Sequence, residues 1–348
     1  MNRETKEISR ALARPGQAWI AGVPALARVA RAVALGLTVA FGATPALITV
    51  QGLIPPVHAA GKPLQVVTTT EDLAAIARDV GGDRVTATAI CRGYQDPHFV
   101  DAKPSYMVQL KKADLFVEVG RDLEVGWAPA LLNGARNPRI LPGTPGFVDA
   151  SSQVQVIEIP SSVSRAQGDV HPFGNPHYWL DPMNGVGIAR AIRDGLTRVS
   201  PADAALFGQR CADFEKRVTE AALRFKAQAQ AIGLTGAKVV TYHRSWSYFA
   251  RAFGFEVVNF VEPRPGIPPS PNHVADLVTQ MKQGRIKFLI MEDFFDPRLP
   301  QKISRDTGVP LVVLPTSVGA DEKIKSTFDL FDQLLARIGQ GLKGGGKS

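Results

Sequence analysis

The chain has 348 residues, 45% hydrophobic and 21% charged, with two cysteines and a formal charge of +8. This is enough chain for two packed cores. It excludes a disordered tail, a collagen-like repeat, a polytopic membrane protein, a disulfide-scaffolded mini-domain and a four-cysteine zinc module. Half of the net charge, +4, lies in residues 1–59, where Arg3, Lys6, Arg10, Arg14, Arg28 and Arg31 oppose Glu4 and Glu7. The remaining excess is too slight for a phosphate-binding surface, so no nucleic-acid partner is expected.

Behind those cations comes an uncharged apolar run, AVALGLTVAFGATPALITV, that leads to small residues at Val57 to Ala60. Basic, then apolar, then small is the order of a secretory signal peptide, assigned here to residues 1–59; His58 leaves with it. The alternative is a retained membrane anchor, which the interrupting Gly and Pro residues and Pro55-Pro56 disfavour. No cysteine stands at the exit, so export to a periplasm-like compartment without lipid attachment is expected.

From residue 60 the chain alternates strand-like and helix-like stretches. Leu64–Thr69 reads as a strand, Asp72–Asp79 as a helix before Gly81-Gly82, Val85–Ile90 as a strand, Pro104–Lys112 as a helix and Leu115–Val119 as a strand. A second series runs through Lys238–Tyr242, a helix near Ser245–Phe253, Val257–Phe260, Phe288–Met291 and Leu311–Leu314. The rhythm predicts α/β architecture with mainly parallel sheets in two lobes, 60–199 and 236–342, with a frayed tail at 343–348. Between them, residues 200–235 predict one long helix. Ser200 and Pro201 open it, Asp203 suits its positive end, and Phe207, Cys211, Phe214, Val218, Ala221 and Phe225 form one apolar face. At 1.5 Å per residue it spans about 45 Å, the length of a rigid spine between two lobes.

Three histidines occupy similar contexts. His98 in QDPH and His177 in NPHYWLDP each follow a proline, and His243 in TYH ends an apolar strand where α/β ligand crevices open. Three imidazoles suit zinc, but their long separations require tertiary structure to assemble them. His171 is a candidate outer ligand, and His273, behind Ser270, is expected to open a helix. Cys91 and Cys211 either pair in an oxidising compartment or remain buried thiols.

The stretches TTTEDLAAIARDVGGDRV, QDPHFVDAKPSYMVQLKKADLFVEVG, NPHYWLDPMNGVGIARAI, VVTYHRSWSYFARAFGFEV and EPRPGIPPSPNHVADL, in this order, resemble the solute-binding proteins of zinc and manganese ABC transporters. The resemblance implies two α/β lobes joined by one long helix, a metal ligated by His98, His177 and His243 between them, and an ABC permease as partner of a monomeric protein. It also implies a fourth, aspartate ligand after the last strand, where this chain has Thr316. Glu292 at the end of the neighbouring strand is the expected replacement, with Asp293, Asp321 or water as alternatives. The many-histidine loop of some relatives is reduced to His171. Zn(II) is the expected cargo, with Mn(II) as the alternative. A secreted zinc hydrolase with Glu292 as general base is the rival reading, though no H-E-x-x-H helix is present. A surface adhesin or metallochaperone on the same fold is a third.

Overall fold

The computed structural model describes residues 61–162, 168 and 171–344; the expected signal peptide and the last four residues lie outside them. The first lobe carries β1 (Leu64–Thr70), β2 (Val85–Cys91), β3 (Leu115–Glu118) and β4 (Phe147–Asp149), with helices α1 (Glu71–Gly81), α2 (Pro104–Lys112), α3 (Ala128–Ala135) and α4 (Asn184–Val199). The long helix α5 (Ala204–Ala231) follows. The second lobe carries β5 (Lys238–Thr241), β6 (Glu256–Phe260), β7 (Phe288–Glu292) and β8 (Leu311–Leu314), with α6 (Ser247–Phe253), α7 (Pro271–Gln283), α8 (Arg298–Thr307) and α9 (Thr327–Gly344).

Each lobe holds a four-stranded parallel sheet, ordered β2-β1-β3-β4 in the first and β6-β5-β7-β8 in the second. The strand order is the same although the sequence shows no internal repeat. In both sheets the order reverses beside the first strand of the lobe, and the crevice outside the strand ends at that switch is where α/β sheets take ligands.

Helix α5 has 28 residues, so it is about 42 Å long. Its stripe Phe207, Cys211, Phe214, Val218, Ala221, Phe225 and Ala229 is buried, and it packs on α1 and α4 on one side and α6 and α9 on the other. One apolar cluster thus runs from Val66 in β1 through Phe214 to Leu335 in α9, joining both lobes. Smaller clusters fill the outer faces, around Phe116 and Trp127 in the first lobe and around Val240 and Leu289 in the second.

The start of α5 differs from expectation. Ser200 does not cap it: the Ser200 hydroxyl donates to Asp203 Oδ2 at 2.6 Å, Pro201–Asp203 form a 3-10 turn, and the α-helix begins at Ala204. Asp203 is also held by Arg84 of the first lobe, which fixes that turn. Cys91 and Cys211 are free and buried rather than bridged, and burial pushes both thiols up to about 12.

The seam between the lobes is tightly made. Gly93 lies so close to the backbone of Val318 and Ala320 that a Cβ would sit 2.1 Å from the Val318 carbonyl oxygen. Asp72, fully buried at the start of α1, accepts from the Ser317 hydroxyl and from the Val318 N–H. Among the described residues no helix is long and apolar enough to cross a membrane.

Candidate metal centre

His98, His177 and His243 converge between the lobes, with one ring nitrogen of each within 4.8 Å of the others. They are the only such group of histidine, cysteine or carboxylate side chains among the described residues. Ring centroids are 5.2 Å apart for His98 and His177, and 5.5 Å from each of these to His243. His177 and His243 are buried and His98 is half-buried.

Two of the three sit in the same local device. The His98 N–H donates to Asp96 Oδ1 at 2.9 Å, and His98 Nδ1 lies 2.7 Å from that oxygen. The His177 N–H and Nδ1 are both 2.9 Å from Asn175 Oδ1. The proline between acceptor and histidine holds φ near −65°, so the short side chain folds back to meet both the amide and the ring. Asn175 is oriented by its own amide group, which donates to Glu158 Oε2 at 2.8 Å and to the Arg244 carbonyl at 2.9 Å. Its oxygen can only accept, so His177 carries its proton on Nδ1 and presents a lone pair at Nε2.

His243 is supported differently. It follows β5, and its Nδ1 is 3.1 Å from Glu262 Oε2, a residue beyond the end of β6. The other Glu262 oxygen accepts from the Gly266 N–H. All three Nδ1 positions therefore face oxygen acceptors, which leaves Nε2 as the nitrogen turned away from them.

Electrostatics separate the rings. Burial and the neighbouring His98 and His243 hold His177 well below the usual histidine range. Burial also opposes charge on His243, but the Glu262 bond and the charges of Glu292 and Asp96 outweigh it and raise that ring. His171 is brought down to about 3, by burial first and then by His98 and His243.

The expected carboxylate does not join the cluster. Glu292 ends β7 and is fully buried, beside His243, Ser245 and Trp246, with neither oxygen in a hydrogen bond of normal geometry. Burial raises its pKa, and its oxygens lie outside the group of converging nitrogens. Asp293 lies on the side of Arg337 and Asp321, and Asp321 itself pairs with Arg337. Thr316 is turned to another use: its carbonyl accepts from the Trp179 indole at 2.8 Å, and the following residues are tied to Asp72. The loop after β8 fastens the lobes together. His273 opens α7 as expected, its N–H bound to Ser270 Oγ and its Nε2 2.9 Å from the Phe260 carbonyl.

Sequence reasoning found the three histidines and missed their acceptors. Asp96 and Asn175 had a signal, the recurrence of a short oxygen-bearing residue before Pro-His. Glu262, 19 residues from His243, had none.

A cavity of about 480 Å³ opens onto His171, His177 and His243, flanked by Arg244 and Arg264.

Comparison with known proteins places the chain in a family. The family model described as zinc-uptake complex component A, periplasmic, matches residues 66–341. A metal ABC transporter substrate-binding lipoprotein of Lactococcus lactis is 25% identical over 253 residues, 72% of this chain and 78% of the relative. The manganese ABC transporter substrate-binding lipoprotein PsaA of Streptococcus pneumoniae is 24% identical over 285 residues, 80% of this chain and 89% of the relative. A crystal structure of ZnuA shares the fold with a TM-score of 0.66 at 20% identity, covering 82% of this chain and 99% of that one. A manganese-bound periplasmic metal-binding protein of Candidatus Liberibacter asiaticus gives 0.66 at 21%, covering 81% and 100%. These relatives are binding components of transporters, which sets the hydrolase reading aside. The chain belongs to the periplasmic zinc-uptake component A family, the metal-binding, substrate-binding proteins of ABC transporters.

Proposed function

We propose that the protein captures Zn(II) with His98, His177 and His243 and delivers it to an inner-membrane permease. The observation that carries this reading is the set of three imidazoles from two lobes, each with Nδ1 against an oxygen acceptor and Nε2 turned away from it. Imidazole nitrogens suit zinc, whereas manganese prefers harder oxygen donors. Glu292 places a buried carboxyl group beside His243.

A manganese cargo is the second reading, favoured by the relatives named for manganese. One competition decides between them. Metal-free protein dialysed against equimolar zinc and manganese should retain about one zinc per chain by elemental analysis. Manganese in the majority overturns the zinc assignment.

The relatives above are named lipoproteins. In this chain the two cysteines, Cys91 and Cys211, are both buried within the fold, which supports a protein released by its signal peptide rather than held by a lipid.

A further inference from the structure

The site has one more imidazole than its three-histidine cluster. His171 Nε2 lies 3.3 Å from His98 Nε2, and the two ring centroids are 5.4 Å apart. The His98 proton faces Asp96, so its Nε2 presents a lone pair towards His171. In a tetrahedral zinc centre with Zn–N bonds of about 2.0–2.1 Å, neighbouring ligand atoms stand about 3.3–3.4 Å apart. The separation of the two nitrogens matches such an edge.

Local structure brings His171 there from both sides. Gly168 approaches the second lobe so closely that a Cβ would sit 2.3 Å from the Pro265 carbonyl oxygen. Pro172 follows His171, and the Gly174 N–H closes a turn on the His171 carbonyl at 3.2 Å, leading straight into Asn175-Pro176-His177. Opposite the ring, Gly120, Arg121 and Asp122 all have positive φ, of 78°, 57° and 62°. The backbone of the latter two faces His171. Left-handed conformation is unfavourable for a non-glycine residue, and two such residues in succession mark a turn held by its surroundings. Neither the carboxylates nor His171 stands in the group whose nitrogens lie within 4.8 Å of one another, and with ring centroids 6.4 Å apart from His177 the His171 ring closes on the site by turning from its contact with His98.

We propose that His171 is the fourth metal ligand, completing an all-nitrogen tetrahedral site that selects zinc over manganese. This rests on the preceding reading that His98, His177 and His243 hold the cargo. A set of four imidazoles supplies no oxygen donor and no net charge, which disfavours the harder manganese ion.

X-ray absorption on the full chain loaded with one equivalent of zinc tests the assignment. Wild-type protein should show four imidazoles, and His171→Ala three imidazoles with one oxygen. In that variant zinc affinity should fall at least tenfold and the preference over manganese should narrow. His171→Asp should restore a fourth ligand while shifting the competition towards manganese. An unchanged coordination shell in His171→Ala, with binding lost in His177→Ala, overturns the His171 assignment alone. Wild-type zinc affinity in His177→Ala overturns the three-histidine reading and the His171 assignment with it.

Discussion

The two lobes share one strand order but orient their converging histidines in different ways. The first lobe uses short-range devices: Asp96 and Asn175 lie two residues before the histidines they orient. The second lobe orients His243 through Glu262, which reaches it only because β5 and β6 pair side by side. A ligand built from three consecutive residues forms with its loop, whereas one built across two strands forms only with the sheet. The first lobe's two histidines are therefore oriented by the chain itself, and the second lobe's by the fold.

The largest effects should come from the ligands themselves. His177→Ala and His243→Ala each remove an imidazole and should weaken zinc binding by more than about 100-fold, beyond what loss of an orienting partner produces. Competition with a chromophoric chelator measures this. Retention of wild-type affinity in either variant would break the symmetry assigned to the two lobes.

Next come the orienting partners. Asp96→Ala, Asn175→Ala and Glu262→Ala should each lower zinc affinity about 10–100-fold. Asn175→Ala should also destabilise the fold by about 1–3 kcal/mol, because it strips partners from Glu158 and from the Arg244 carbonyl across the seam. Asp96→Ala should destabilise less, since its oxygen serves His98 alone among the bonds described. Denaturant titration beside calorimetric binding separates the two effects, and equal stability losses would deny the distinction.

A third effect is a shift in pH dependence. The imidazolium form of His243 competes with the metal, so affinity should fall about tenfold per pH unit below its pKa. Glu262 helps to raise that pKa against burial. Glu262→Gln keeps an acceptor but removes the charge, so the fall should begin at lower pH. A shift to higher pH would contradict the role given to Glu262.

Asp72 offers a smaller test, at the seam rather than the site. Burial raises its pKa from 3.8 to about 7 despite the bonds from Ser317 and Val318. The folded protein thus holds this proton more tightly than the unfolded chain, and Asp72 subtracts stability as pH rises from about 4 to 7. Asp72→Asn should flatten the thermal-unfolding profile across that window relative to wild type. An unchanged slope would show that the carboxylate does not titrate there. The smallest effect belongs to Lys302→Ala, which breaks an exposed pair with Asp306 on α8 and should leave melting midpoint and zinc affinity unchanged within error.

The two series of strands and the long helix were legible because their apolar residues keep clean periods, as in β1 and along α5. Helix α3 and strand β4 were not; β4 has only three residues, too few for a period to declare itself. Helix α4 was hidden by its three glycines, of which Gly187 and Gly195 are there for close packing: a Cβ would meet the Gln153 carbonyl at 2.3 Å or the Val148 side chain at 2.3 Å. The three histidines were readable from proline and strand-end context. The place of Glu292 was not, since the same residue at a strand end either reaches into a crevice or packs behind it. Which occurs is set by its neighbours Ser245 and Trp246.

The apolar cluster that passes through α5 has a consequence for unfolding. The stripe of α5 packs on α1 and α4 of the first lobe and on α6 and α9 of the second, with Phe214 against Phe328 and Phe225 against Phe331. Loss of either lobe would expose the stripe that holds the other. The molecule should therefore melt in a single cooperative transition, its two sheets failing together, and a metal bound between them would raise that one midpoint instead of protecting half of the chain.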